Sequence, residues 1–211
     1  MNALLPHLPG FAAAYAILLV AASSPGPAVA MLLGIGAGQG RRAAMAATVG
    51  IATGGVVLNA ATLLGVGVLL AQAAWAMTAL RLAGAAYLGW LAWGAFRKAA
   101  APPPVRPAAM APAPLGRQFL AGFALQVTNP KAVVFWIAIA SVGATEGGGP
   151  WVVAAFVAGA FAISLVCHGA WALALSSRPV RAAHAGARRW IEGALGVFFG
   201  LMAFKLATAR S

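Results

Sequence analysis

Ser24-Pro25-Gly26-Pro27-Ala28 interrupts an apolar run that begins near Pro9 and reaches about Leu33. Pro25 and Pro27 carry no N–H, so a helix passing through them leaves the carbonyls of Ala21 and Ser23 without intrahelical partners. Gly26 between them lets the backbone turn sharply and lets another group approach closely. In hydrocarbon, such freed groups persist only where protein, ordered water or a polar solute satisfies them. Thr128-Asn129-Pro130-Lys131-Ala132 breaks a second apolar run about a hundred residues later. Matched interruptions in two halves of a membrane chain are the pattern of a transport site near the bilayer middle.

The chain has 211 residues, 63% hydrophobic and 8% charged, more apolar surface than a soluble domain of this size can bury. Several runs of roughly 20 apolar residues can each cross about 30 Å of hydrocarbon. No Lys or Arg precedes the first run, so the basic start of a secretory signal is missing. The net charge of +12 sits in short connectors rather than among aromatics, which points to membrane topology and not to nucleic acid. Cys167 is the lone cysteine, and Glu146 and Glu192 are the only acids. That excludes an internal disulfide, a CxxC relay and a thiolate cluster, and leaves little for carboxylate chemistry. No cofactor and no metal site is expected.

In order, the expected spans are about Pro9–Leu33, Ala43–Leu70, Ala79–Phe96, Gln118–Val142, Trp151–Leu175 and Trp190–Leu206. A connector is expected around Gln72–Thr78, and a basic one over Arg178–Arg189. Pro102, Pro103, Pro104, Pro107, Pro112 and Pro114 make residues 99–116 an extended linker between residues 1–98 and 117–211. The connectors after spans one, three and five hold ten of the 14 basic residues, placing them in the cytoplasm and both termini outside. Ser-Pro-Gly-Pro-Ala matches Thr-Asn-Pro-Lys-Ala, and Arg81…Phe96-Arg97 echoes Arg189…Phe204-Lys205. With three spans per half, the second copy enters inverted. The expected fold is an all-α membrane protein of about six transmembrane helices in two inverted three-helix repeats, helices one and four being broken. Gly50 and Gly54 form a GxxxG pair for close helix packing, and glycine-rich faces permit a homodimer.

Taken together, Pro25-Gly26-Pro27, Gly40-Arg41-Arg42, Gly50-Ile51-Ala52-Thr53-Gly54 and Gly84-Ala85-Ala86-Tyr87-Leu88-Gly89-Trp90 resemble the LysE/RhtB family of bacterial amino-acid exporters. Phe119, Gly122-Phe123 and Asn129-Pro130-Lys131-Ala132…Phe135-Trp136 extend the resemblance over nearly the whole chain. It implies about six helices in the bacterial inner membrane and efflux of amino acids or related small metabolites, driven by the proton gradient. The chain departs from the family where Ala28 replaces the usual Asn or Asp and Gly55 the usual Asp. A proline usual near Ser141-Val142-Gly143 is also missing. The first two changes delete polar groups, which favours a neutral amino acid over a cationic one.

The expected substrate-binding residues are Pro25, Gly26, Pro27, Asn59, Asn129, Pro130 and Lys131. Mid-span lysine costs about 2.5–3.5 kcal/mol on insertion scales, so Lys131 needs a partner, a purpose or a path to the interface. Following Asn129 as a cap and Pro130 at the first helical position, it places positive charge at a half-helix N-terminus, where a substrate carboxylate binds. Asn59 and Asn129 suit both ends of a zwitterion, and either can instead cap a helix or bridge spans. Gln126 and Thr128 are supporting candidates. Glu192 and His168 are the coupling candidates, the first against a local ion pair with Arg188 or Arg189, the second against a satisfied interior histidine. Trp75, Trp151 and Trp190 read as interfacial anchors. The rival readings are cation or metal efflux, a membrane-embedded enzyme, and a homologue without transport activity. Cys167, His168 and two glutamates are few ligands for the first, and no GxSxG or HExxH supports the second.

Overall fold

The computed structural model describes residues 3–24, 26–72, 74–102 and 113–208, with eight α-helices among them. Pro25 and the linker prolines Pro103, Pro104, Pro107 and Pro112 lie outside the described residues. The helices are α1 Leu8–Ser23, α2 Pro27–Gly38, α3 Arg41–Gln72, α4 Ala74–Ala100, α5 Leu115–Thr128, α6 Pro130–Ala140, α7 Pro150–Ala174 and α8 Arg178–Thr208. A 3-10 turn, Leu5–His7, leads into α1.

Both proline motifs end one helix and start another. Pro27 and Pro130 each occupy the first helical turn, where a missing N–H costs nothing. The second break bends α5 against α6 by 62°. Leu5–Ser23, Arg41–Gly65 and Pro150–Ala174 are long and apolar enough to cross a membrane, and the bent α5–α6 pair makes a fourth candidate. Two expected connectors are helical instead. Helix α4 begins at Ala74, within the expected Gln72–Thr78 connector, and the basic stretch from Arg178 is the first part of α8. Ala74–Thr78 holds no Gly or Pro, and Gly186 in the basic stretch weakens a helix without stopping it. Pro179 falls in the first turn of α8, where proline is tolerated.

The chain forms two compact units, Met1–Val66 with Pro107–Ser177, and Gly67–Arg106 with Arg178–Ser211. Each unit draws helices from before and after the proline-rich linker. In the second, α4 packs along α8, and a Cβ at Gly196 would strike the Phe96 ring.

In the first unit α7 packs against both α1 and α2, while α1 also meets α6 and α2 meets α5. Phe11, Leu18, Trp136, Ile139 and Phe156 anchor one apolar cluster, where the Phe11 and Phe156 rings meet edge to face at 5.1 Å. The Tyr15 hydroxyl donates to the Phe156 carbonyl at 2.9 Å and fixes α1 on α7. Leu32 and Ile35 of α2 pack on Ala44, Ala47 and Ile51 of α3 in a second cluster. The GxxxG reading holds as packing. A Cβ at Gly50 would land on the Phe119 carbonyl and one at Gly122 on the Ala47 carbonyl, so α3 and α5 touch backbone to backbone. Trp151 and Trp190 are 86% and 76% exposed. The side chain of Trp75 lies outside the described residues.

Candidate functional site

The first unit holds a partly open cavity of about 40 Å³ where the two broken helices meet. Its floor and walls come from the end of α1, the start of α2, the α5–α6 break and the middle of α7. Gly26, Pro27, Gln126, Asn129, Lys131 and His168 line it, with Ser24, Ser164, Phe135 and Trp136. The two interruptions thus share one space.

Helix α1 ends at Ser24, whose backbone is extended (φ −79°, ψ 135°) and whose N–H still donates to Val20 O at 3.0 Å. The last carbonyls of a helix have no intrahelical donor, and they form the negative end of its dipole. Here they receive side chains. Ser24 Oγ donates to Ala21 O at 2.9 Å. Lys131 Nζ reaches back from α6 and donates to Ser24 O at 3.2 Å, to Ala21 O at 3.4 Å and to Ser24 Oγ. Ser24 is 4% exposed, so these bonds form largely away from water. The lysine neither snorkels nor points from its own helix end into open space; it closes the end of α1. Phe135, one turn along α6, places its ring 5.9 Å from Nζ, at the outer range of a cation–π contact.

The start of α2 is built differently. Gly26 is its N-cap, in extended backbone (φ −178°), and no side chain caps the helix. Its first N–H groups, beginning at Ala28 because Pro27 has none, form the positive end of a dipole at the cavity wall. A Cβ at Gly26 would lie 3.2 Å from Lys131 Nζ, which shows how closely the ammonium approaches this backbone. At α6, by contrast, Asn129 Oδ1 accepts from Lys131 N at 3.1 Å, and Asn129 O accepts from Val133 N at 3.1 Å. Asn129 is therefore a helix cap as well as a cavity residue.

On α7, His168 Nδ1 donates to Ser164 O at 3.0 Å, with Ser164 Oγ 3.3 Å away. Both residues are buried. The carbonyl fixes the proton on Nδ1 in the neutral ring, which makes Nε2 the acceptor. His168 is thus a hydrogen-bonded interior histidine that also faces the cavity.

Two expected site residues sit elsewhere. Asn59 is 1% exposed on α3 and does not line the cavity; neither of its amide atoms has a hydrogen-bond partner among the described residues. It lies one turn from Gly55, where a Cβ would touch the Trp136 ring at 3.4 Å and Gln126 Nε2 at 3.8 Å. Glu192 belongs to the second unit, is 3% exposed and lies 4.0 Å from Arg188 Nε, the helical ion pair that its spacing announced. The sequence reading gave no binding role to Ser24, Ser164 or Trp136. The i, i+4 spacing of Ser164 and His168 could have revealed their bond, whereas nothing local points Lys131 toward Ser24.

Comparison with known proteins places almost the whole sequence in a family. The family described as LysE type translocator matches residues 19–210. The threonine efflux protein of Escherichia coli (strain K12) is 28% identical over 203 residues, covering 91% of this chain and 94% of that protein. That of Salmonella typhi is 29% identical over 202 residues, with the same coverage. An uncharacterized Escherichia coli membrane protein, YahN, is 27% identical over 183 residues, covering 87% of this chain and 82% of its own. No solved structure matches. With its family match spanning almost the whole sequence and its apolar helices long enough to cross a bilayer, the chain belongs to the LysE-type translocators, a family of membrane transport proteins.

Proposed function

We propose that this protein exports a neutral amino acid, or a similarly small zwitterion, from the bacterial cytoplasm across the inner membrane, driven by the proton gradient. The observation that carries the reading is the cavity itself: α1 presents carbonyls, α2 presents an uncapped N-terminus, and Lys131 adds a positive charge between them. Acceptors for an ammonium and a positive field for a carboxylate thus lie side by side, in the arrangement that discontinuous transporter helices use for such solutes. The similarity to threonine efflux proteins supports a substrate of this class. Gln126 and Asn129 orient the remaining polar groups, and Phe135 and Trp136 bound the side chain.

In this reading α4 and α8 supply the third and sixth spans, the two halves are inverted repeats, and both termini lie outside the cytoplasm. A reporter active only in the cytoplasm, fused after Ser211, should stay silent; a signal would overturn the orientation. His168 is the favoured coupling group because it faces the cavity, while Glu192 already has Arg188. His168→Gln should therefore uncouple efflux from the proton gradient and Glu192→Gln should leave coupling intact. The reverse result would move the role to Glu192.

The deciding experiment is efflux from cells expressing the protein and loaded with single amino acids by dipeptide feeding. Neutral amino acids should leave several-fold faster than from cells lacking the protein, with lysine and arginine unaffected. No efflux across the panel, at normal membrane expression, would overturn the proposal.

A further inference from the structure

We infer that Lys131 is a resident substitute for the substrate's ammonium group: a cation tethered to α6 that fills an ammonium site on the end of α1 whenever no solute does. The site consists of Ser24 O, Ala21 O and Ser24 Oγ, all of which accept from Nζ. Ser24 Oγ donates its own hydrogen bond to Ala21 O, which leaves its lone pairs facing the ammonium. Three oxygens around one –NH₃⁺ match the donor count of lysine and equally that of any primary alkylammonium.

Two further observations support a temporary occupant rather than a permanent strut. Nζ already occupies Ser24 O, Ala21 O and Ser24 Oγ at the cavity wall, so a solute ammonium reaches those oxygens only as the lysine leaves. Among the described residues lining that cavity, Lys131 and His168 are the only ionisable ones, and none is a carboxylate. The lysine charge is met instead by the helix-end carbonyls and their dipole, which a second ammonium can satisfy as well. A zwitterion brings both halves of the exchange. Its ammonium takes the carbonyls, and its carboxylate meets the displaced Lys131 and the start of α2. A dication brings no carboxylate for the lysine, and an anion has nothing to give the carbonyls. The inference deepens the exporter reading by naming what defines the substrate class, one ammonium with one carboxylate, and it rests on that reading for its physiological meaning.

The test needs no transport. Lys131→Ala empties the site and removes the stem, leaving space for propylammonium. Purified in detergent, the variant should gain about 3–6 °C in Tm with propylammonium at ten times its Kd. The unaltered protein should gain nothing, and neither should the variant with 1-propanol or an equal concentration of sodium chloride. A variant that folds and shows no such shift overturns the inference. Should Lys131→Ala fold only when propylammonium is present during purification, the ligand has replaced the missing charge and the inference stands. A variant that stays unfolded with the ligand overturns it. Efflux from cells, measured separately on the unaltered protein, fails or succeeds independently, so the loss of one reading does not disguise the loss of the other.

Discussion

At the first break α1 ends on carbonyls that take their donor from a residue more than a hundred positions away, whereas at the second α6 starts on its own neighbour, Asn129. Both breaks come from proline in an apolar run, yet the second is completed locally, whereas the first needs the distant Lys131 beside its own Ser24 hydroxyl. In the proposed reading, the first break is the place where a polar solute substitutes for protein, and the second is the support that aims Lys131 at it. Asn129 holds the first turn of α6, and the lysine projects from that turn.

The sharpest way to break this asymmetry is Lys131→Ala. It removes hydrogen bonds from a charged donor, worth about 2 kcal/mol, and should lower Tm by about 4–8 °C while reducing efflux to background in the loaded-cell assay. Retained efflux would mean that the lysine is only a strut. Asn129→Ala should come next. It loses a cap worth about 1 kcal/mol, hence about 2–4 °C in Tm, and efflux should fall several-fold without vanishing. Asn129→Asp, which keeps an acceptor at the cap, should restore the Tm; failure to do so would show that the amide matters beyond capping. The smallest effect belongs to Ser24→Ala. Lys131 keeps two carbonyls, so the loss is about 0.5 kcal/mol, visible as a modest Tm decrease and a weakened preference for solutes with an ammonium. A Tm decrease larger than that of Asn129→Ala would reverse the proposed order of the two breaks.

The same asymmetry separates what could be read in the sequence from what could not. Both breaks, the Asn129 cap, the GxxxG contact at Gly50 and the Arg188–Glu192 pair depend on residues within a few positions of one another or on backbone chemistry, and each was legible. The partner of Lys131 was not, because a lysine stem reaches in many directions and only the packing of α6 on α1 selects one. Asn59 was read as a ligand from its polarity. Its burial was predictable, but its place off the cavity wall was not. Nor did chain order reveal the compact units, since helix pairing across the linker depends on faces rather than on neighbours in sequence. The extra helix at Ala74 and in Arg178–Arg189 escaped because hydropathy marks where lipid ends, not where a helix does.

The backbone-to-backbone seam between α3 and α5 has a practical meaning for anyone who wishes to redirect this carrier. At Gly50 and Gly122 any larger residue meets a carbonyl instead of a yielding side chain. A selectivity library should therefore leave those two codons untouched and spend its diversity at Ala28, Ala132 and Phe135 on the cavity wall. Survivors of such a screen should vary freely at the wall and remain invariant along the seam.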